Sequence, residues 1–232
     1  MLFNLLQAAV DTTALAPAAP VSQEMNFSLI EMAMKGGWLM IVLLILSIMA
    51  IYIFGNKWWM IRKAGKIDKN FMKDIRDMIH EGKIKSAIAL CQKYDSPIAR
   101  LVEKGIERIG RPLPDIQAAV ENMGNVEVAR LEKGLPMLAT IAGGAPMIGF
   151  LGTVTGMIQA FFRMSTAGNN IDITLLSGGI YEAMVTTVGG LFVGIIAYFG
   201  YNFLTSQISN LVFKMESTTI EFIDMLHEPA GR

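Results

Sequence analysis

The fold is decided by the stretch ITLLSGGIYEAMVTTVGGLFVGIIAYFGYNFL, residues 173–204. It is longer than the roughly 20 apolar residues that span a bilayer, and Glu182 is its only charged residue. An ionised carboxylate near the centre of a membrane costs about 2.5–3.5 kcal/mol on insertion scales, so Glu182 is a candidate for ion or proton handling. Thr186 and Thr187 follow one helical turn later, where their hydroxyls can hydrogen-bond the carboxyl.

Glu182 also has a purely structural interpretation, in which a protonated carboxyl hydrogen-bonds a neighbouring helix. Burial favours the neutral form of a carboxyl, and the side chain must face protein or water rather than lipid. A neutral acid beside hydroxyl groups can both donate and accept a proton. Both interpretations place this side chain inside an assembly.

Two further apolar runs accompany this stretch. Residues 38–54 are uncharged and are followed by Trp58 and Trp59, which favour membrane interfaces, and the other run covers 135–164. With 53% hydrophobic residues and a mean hydropathy of +0.44, the chain is too apolar for an ordinary soluble domain. The sequence therefore predicts an all-α membrane protein with three transmembrane helices.

The basic residues predict the orientation of these spans. Of the 20 Lys and Arg residues, 16 fall between Lys57 and Lys133, in the segment that joins the first two spans. Loops rich in Lys and Arg stay in the cytoplasm. We therefore expect a cytoplasmic segment here, an outer (periplasmic) N-terminus and a cytoplasmic C-terminus. Arg163 falls on the outer side, where a long side chain can reach the membrane interface.

The predicted layout alternates between outside, membrane and cytoplasm. Its boundaries are an outer segment 1–36, a first span 37–56, a cytoplasmic helical segment 57–134, a second span 135–164, an outer loop 165–174, a third span 175–204 and a cytoplasmic helix 205–232. The outer segment is predicted to hold an Ala- and Pro-rich linker at 14–20 and an interfacial helix at 27–34. Residues 14–16 faintly resemble a signal-peptide cleavage site, but the preceding basic region is missing, so we expect no cleavage.

The cytoplasmic segment carries apolar residues at helical spacing in three groups, separated by Gly82 and Pro97. Three short amphipathic helices packed on one another are predicted. A further helix is expected to start near Asp115 and to enter the second span, with kinks near Pro136 and Pro146. The helix of the third span is expected to continue beyond the membrane, because an apolar stripe persists at Ile208, Leu211, Val212, Met215, Phe222, Met225 and Leu226.

Small residues mark the second and third spans. The pairs Gly152/Gly156 and Gly190/Gly194 have the spacing that allows helices to approach closely in lipid, and Pro146 lies in the same span as the first pair. Three spans are too few to enclose a hydrated path, so several copies are expected to close into a ring. The spans hold no second acid, Lys or His, so a proton-exchanging partner of Glu182 must come from another subunit type.

Several other classes of function are disfavoured. His80 and His227 stand far apart without other ligands at metal-binding spacing, so no metal or cofactor is expected. Cys91, the only cysteine, is predicted to pack inside a helical face. Acidic residues interleave with the basic ones, which argues against nucleic-acid binding. No Ser–His or Ser–Lys pair lies at membrane depth, so we do not expect an enzyme.

Two motifs resemble a known family. The segment APMIGFLGTVTGM at 145–157 is similar to the second-span signature of the MotA/TolQ/ExbB proton channel family. The segment GGIYEAMVTT at 178–187, followed by Gly190-Leu191 and Tyr201-Asn202, is similar to the third-span signature. Order, topology and the large cytoplasmic segment agree, and the resemblance is greatest to ExbB. The outer extension, 1–25, is longer than in many members.

This resemblance implies a proton-channel subunit of a bacterial inner-membrane motor driven by the proton motive force. Family members form a pentameric ring around the transmembrane helices of an ExbD- or TolR-like single-span partner, and they energise a TonB- or TolA-like protein. Matched by position, Glu182 corresponds to the pore glutamate, and Thr153 and Thr187 correspond to the two pore threonines. Helix geometry alone favours Thr186 over Thr187 as the neighbour of Glu182, so Thr186 stays an alternative.

Two other functions remain open. The chain can be a TolQ-like subunit that serves envelope integrity, or a non-conducting scaffold that holds a partner's membrane anchor. Proton flux through vesicles that carry both subunits separates the scaffold from the channel.

Overall fold

The computed structural model of the chain describes residues 37–65, 67–68, 70–166 and 173–227. The regular structure in these ranges is entirely α-helical, as predicted. The helices are α1 (Gly37–Ala64), α2 (Phe71–His80), α3 (Ile84–Lys93), α4 (Pro97–Ile106), α5 (Leu113–Glu132), α6 (Leu135–Thr166) and α7 (Ile173–His227). The predicted linker, interfacial helix and cleavage site, and most of the outer loop 165–174, lie outside the described residues.

Three helical segments of the described part are long and apolar enough to cross a membrane. They are Gly37–Ala64, Leu113–Thr166 and Leu176–His227, which confirms the predicted number of spans. At about 1.5 Å per residue, the 55 residues of α7 extend over about 82 Å, far more than the roughly 30 Å of bilayer hydrocarbon. The continuous helix predicted from the absence of proline is therefore present, and it extends well past its apolar part.

The transition from α5 to α6 differs from the prediction. We expected a helix that continues through this region with a kink near Pro136, but α5 ends at Glu132 and α6 begins at Leu135. Gly134 between them adopts a φ of +95°, a left-handed conformation that costs glycine little. Pro136 then lies in the first turn of α6, where its missing N–H breaks no helical hydrogen bond. The interruption thus comes from Gly134, and Pro136 is the second residue of the next helix.

Lys57 holds this transition against α1. Its ammonium donates hydrogen bonds to the carbonyl oxygens of Arg130 at 3.1 Å and Leu131 at 3.3 Å. The last carbonyls of a helix have no partner within that helix. A buried Lys57 therefore supplies donors to the end of α5 and fixes it beside the basic end of α1.

The three short helices predicted from periodicity are present as α2, α3 and α4. Ser96 caps α4 by accepting a hydrogen bond from the Ala99 N–H at 3.2 Å, and Pro97 occupies the first turn. Cys91 is buried in the packing between these helices, as expected. Burial, reinforced by the nearby Glu103 carboxylate, raises the pKa of the Cys91 thiol to about 12.

One apolar core joins the membrane part to the helical segment beyond it. The predicted apolar stripe on α7 contributes the side chains of Ile208, Leu211, Met215, Phe222 and Met225 to this core, and all five are buried. The Phe222 ring packs directly on Gly105 of α4, where a larger residue has no space. The far end of α7 is therefore fixed to the short helices.

A buried charge cluster fastens α4 to α5. The Glu127 carboxylate is only 1% exposed and receives two hydrogen bonds from Arg100, at 3.0 and 2.7 Å. Arg130 adds a third at 2.8 Å. The hydrogen bond to Glu127 and the negative charge of this carboxylate raise the pKa of the Arg100 guanidinium above its usual value. Arg100 thus remains charged against a carboxylate that is removed from water.

Candidate functional site

Glu182 lies near one end of the apolar part of α7, half-buried against α1. Its Oε1 atom occupies the space that a Cβ on Gly37 would need. Gly37 is the first residue of α1, has a φ of +66°, and immediately precedes the apolar run of that helix. The carboxyl therefore lies level with the first residue of α1. In the described part of the chain, no Lys, Arg or His forms an ion pair with it.

The most extensive helix contact is that between α6 and α7, and small residues form it. A Cβ on Gly152 would lie 2.7 Å from Thr186 Oγ1, and one on Gly156 would lie 2.8 Å from the Cβ of Ala183. Such separations are shorter than side chains tolerate, so these positions need glycine for the observed approach.

The second glycine pair packs further along the same contact. A Cβ on Gly190 would lie 2.5 Å from the Ala145 carbonyl oxygen, and one on Gly194 would lie 2.6 Å from Pro146 Cγ. All five residues predicted to mediate packing are thus found in the contact between the two spans. Because the helices touch backbone to backbone, no water-filled path fits between them.

Thr187 and Thr153 meet at the carbonyl of Gly149. The Thr187 hydroxyl donates to this oxygen across the helix boundary at 2.9 Å. The backbone N–H of Thr153, four residues after Gly149, is the regular helical partner of the same oxygen. The Thr153 hydroxyl donates to the Phe150 carbonyl at 2.6 Å. We name Gly149, Thr153 and Thr187 the threonine cluster, and both threonines are half-buried.

Thr186 has a different environment. It is 2% exposed, packs on Gly152, and donates to the carbonyl oxygens of Glu182 and Ala183, both at 2.9 Å. The hydroxyls of Thr186 and Thr187 both donate to backbone carbonyls, so neither donates to the Glu182 carboxyl. The side chain that helix geometry favoured lies inside the packing contact, whereas Thr187 lies at its margin.

The structure therefore brings together two of the three predicted pathway residues. Glu182 stands five residues before Thr187, about 7.5 Å along the helix axis. A proton that moves between the carboxyl and the threonine cluster needs water or a side chain from another subunit in between. In the described part of the chain, no group of three His, Cys, Asp or Glu side chains forms a potential metal site.

Sequence reasoning missed two contributors to this site. Gly37 creates the space that the Glu182 carboxyl occupies, and the only hint was the glycine pair that precedes the first apolar run. The Gly149 carbonyl joins the two threonines, and a backbone atom leaves no mark in a sequence. Both depend on how the helices pair.

Comparison with known proteins identifies the family. Residues 93–217, more than half of the chain, match the model of the MotA/TolQ/ExbB proton channel family. The chain belongs to this family. The match contains the whole of α4, α5 and α6, and α7 as far as residue 217, together with Glu182, Thr153 and Thr187. Family membership and the three apolar helices show that the chain is a multi-pass membrane protein of a proton channel family.

Individual relatives agree with this assignment. An ExbB-like 1 biopolymer transport protein of Synechocystis is 30% identical over 181 residues, which cover 77% of this chain and 71% of the relative. An ExbB homolog of Methanothermobacter thermautotrophicus is 26% identical over 82% of this chain and 67% of its own length. The TolQ protein of Haemophilus influenzae is 36% identical over 46% of each chain. Proteins named ExbB from Xanthomonas campestris and Neisseria meningitidis match as well, and the chain is most like ExbB.

Proposed function

We propose that this chain is the proton-channel subunit of a bacterial inner-membrane motor that uses the proton motive force to energise a TonB-like protein for outer-membrane transport. The observation that carries the proposal is Glu182, the only charge in the apolar part of α7. Ionisable groups in membrane spans characteristically mark ion and proton paths. The similarity to proteins named ExbB supports the choice of the TonB-like partner.

The geometry of one protomer supports assembly into a ring. The backbone contact between α6 and α7 leaves no path between these two helices, so we place the proton path along the outer surface of the pair. Large apolar side chains are exposed beside the threonine cluster, among them Phe150 of α6 and Val188 of α7. We propose that further copies of the chain, five in all as in the family, close this surface around an ExbD- or TolR-like single-span partner.

In this arrangement protons enter from the outside, where Glu182 lies beside the start of α1. The partner helix supplies a second carboxyl, and a proton passes between it, Glu182 and the threonine cluster. To pass a proton on, the hydroxyls of Thr153 and Thr187 first turn away from the Phe150 and Gly149 carbonyls to which they donate. Each transfer changes the charge between ring and partner, which shifts the electrostatic attraction between them.

The test uses Glu182→Gln and Glu182→Ala in cells that depend on this chain. Gln has nearly the shape of Glu but cannot titrate, so both variants are expected to abolish uptake driven by the proton motive force while the ring still assembles. Glu216→Gln, on the exposed part of α7 beyond the span, removes the same charge and is expected to leave uptake intact. Uptake at the wild-type rate with Glu182→Gln would refute the proposal.

A TolQ-like role is the second candidate, since the Haemophilus TolQ protein shares 36% identity over nearly half of the chain. Complementation separates the two roles. The chain is expressed in a strain without its own ExbB and TolQ. Restored siderophore uptake supports the ExbB-like role, and restored detergent resistance of the envelope supports the TolQ-like role.

A non-conducting scaffold is the third candidate, because the close contact of Glu182 with Gly37 is compatible with a structural clamp. Reconstituted vesicles that carry the chain and its single-span partner distinguish this case. Proton flux that Glu182→Gln eliminates supports the channel. An absence of flux in wild-type vesicles with an intact complex supports the scaffold.

A further inference from the structure

A groove formed by two neighbouring cavities runs along one side of the α1–α7 pair. The first cavity has a volume of about 320 Å³ and an apolar lining that includes Ile51, Phe54 and Phe199. The second has a volume of about 420 Å³ and lies further toward the basic end of α1. The Phe203 side chain lines both, so the cavities adjoin at this point.

Residue spacing places both cavities on the same face. Residues three or four apart share a helix face. The α7 residues that line the groove include Ile196, Phe199, Phe203, Gln207, Asn210 and Lys214. Those of α1 follow the same spacing through Ile51, Phe54, Trp58 and Arg62. The groove is therefore continuous, with an apolar half followed by a polar half.

The polar half is cationic. Arg62 and Lys214 line it together with the amides of Gln207 and Asn210, and none of its lining residues is acidic. Arg62 lies over the Trp58 ring, 5.1 Å from the centroid, which holds the guanidinium at the mouth. Among the described residues, neither Arg62 nor Lys214 belongs to an ion pair.

A second basic cleft differs from this groove in the pairing of its charges. The cavity between α1, α4 and α5 also holds several cations, but Asp95 and Glu127 line it as well. Their carboxylates pair with Lys63, Arg100 and Arg130. Three of its cations are thus paired within the protein, whereas Arg62 and Lys214 of the α1–α7 groove are available to a ligand.

The groove covers one leaflet of a membrane and extends somewhat past it. From Ile196 to Lys214 the helix rises about 27 Å, and one leaflet with its headgroups measures about 20–22 Å, so the long Lys214 side chain has to reach back toward the headgroups. The Phe54 and Phe203 rings, 6.2 Å apart, lie at the junction of the halves. Trp58 lies just beyond them, as expected at the boundary between hydrocarbon and headgroups.

We propose that this groove binds an anionic glycerophospholipid, with an acyl chain against Ile51, Phe54 and Phe199 and the phosphate between Arg62 and Lys214. Basic pockets beside membrane helices recognise anionic headgroups in this way. The bound lipid fills the gap between α1 and α7 and stabilises their contact. The inference requires only that both helices cross the membrane, and it is independent of proton conduction.

Native mass spectrometry of the purified complex tests the proposal. After exchange into detergent, the complex is offered phosphatidylglycerol or phosphatidylcholine at equal mole fraction. We expect about thirtyfold preference for phosphatidylglycerol, since each of the two basic side chains contributes about fivefold to the attraction of an anionic lipid. The double variant Arg62→Gln/Lys214→Gln is expected to lose this preference. The control Lys85→Gln/Lys93→Gln removes two exposed charges elsewhere and is expected to keep it.

Equal retention of phosphatidylglycerol by the double variant and the wild type would overturn the proposal. So would displacement of the lipid by millimolar inorganic phosphate, which would mark a site for free phosphate. A density map of the wild-type complex in nanodiscs gives a check without substitution. Lipid density along the groove supports the proposal, and a protein helix in the same place contradicts it.

Discussion

The Thr187 hydroxyl of α7 donates a 2.9 Å hydrogen bond to the Gly149 carbonyl of α6. This bond crosses the contact between the two spans that carry the family motifs, and it places Thr187 beside Thr153. The structure thereby links a proposed pathway residue to the packing of the two helices. Substitutions at this contact are expected to change stability and conduction to different extents.

Thr187→Ala removes the interhelical bond and one hydroxyl of the threonine cluster. We expect a stability loss of about 0.5–1.5 kcal/mol and a reduced but measurable proton flux. Thr187→Ser keeps the hydroxyl and is expected to restore flux. Thr218→Ala, which removes a bond to the Lys214 carbonyl in the same helix, serves as the control. Thermal unfolding and vesicle flux are the measurements, and wild-type flux in Thr187→Ala would exclude a role for the hydroxyl.

Gly190→Ala is expected to force α6 and α7 apart, since the new Cβ would meet the Ala145 carbonyl oxygen at 2.5 Å. Overpacking of this kind costs about 1–3 kcal/mol. Gly178→Ala is the matched control on the same helix, because nothing lies within 4 Å of its Cβ. It is expected to be neutral or to stabilise by about 0.5–1 kcal/mol. Equal melting temperatures for the two variants would contradict the observed helix approach.

Gly37→Ala places a methyl group where the Glu182 carboxylate lies, and it also strains a φ of +66°. The strain costs about 1–2 kcal/mol, and the carboxylate must move. We expect proton flux to fall without reaching the complete loss of Glu182→Ala. Gly55→Ala, on the same helix with open space around it, is expected to conduct normally. Normal flux in Gly37→Ala would show that the position of the carboxylate against α1 is unimportant.

Substitutions of Arg100 and Glu127 are expected to lower the stability of the protein by different amounts. Arg100→Ala leaves the buried carboxylate with Arg130 as its remaining partner, and a broken buried pair costs about 3–5 kcal/mol. Glu127→Gln leaves two arginines that are 30% and 61% exposed and can recover water, so a smaller loss of about 1–3 kcal/mol is expected. Denaturant unfolding checks the order, with Glu132→Gln as the exposed control.

Cys91 is expected to resist alkylation, because burial raises the pKa of its thiol to about 12 and the thiolate is the reactive form. At pH 8 its thiolate fraction is about 10³-fold lower than that of an ordinary exposed cysteine. Ser86→Cys adds an exposed thiol on the same helix for comparison. Iodoacetamide labelling followed by peptide mass analysis gives both rates. Similar rates at the two positions would contradict the buried environment.

The same shift affects stability at high pH. Above the ordinary pKa of a thiol, the unfolded chain releases a proton that the folded chain retains. The unfolded state then binds fewer protons, so the free energy of unfolding decreases as the pH rises. Cys91→Ala is expected to lessen this decrease between pH 8 and pH 10, as measured by thermal melts.

The sequence by itself determined the elements of this protein. The lengths of the apolar runs predicted three spans, the spacing of apolar residues predicted α2, α3 and α4, and the absence of proline predicted the unbroken α7. These properties are local, because a helix and its apolar face are defined within a few turns. The glycine pairs likewise marked the contact surfaces of the second and third spans.

Only the tertiary structure decided which atoms meet. It placed the helix break at Gly134, turned Thr186 into the packing contact, joined Thr187 to the Gly149 carbonyl and set Glu182 against Gly37. These outcomes depend on the register between α1, α6 and α7. That register follows from the summed fit of many side chains across helices, and no short stretch of the chain contains it.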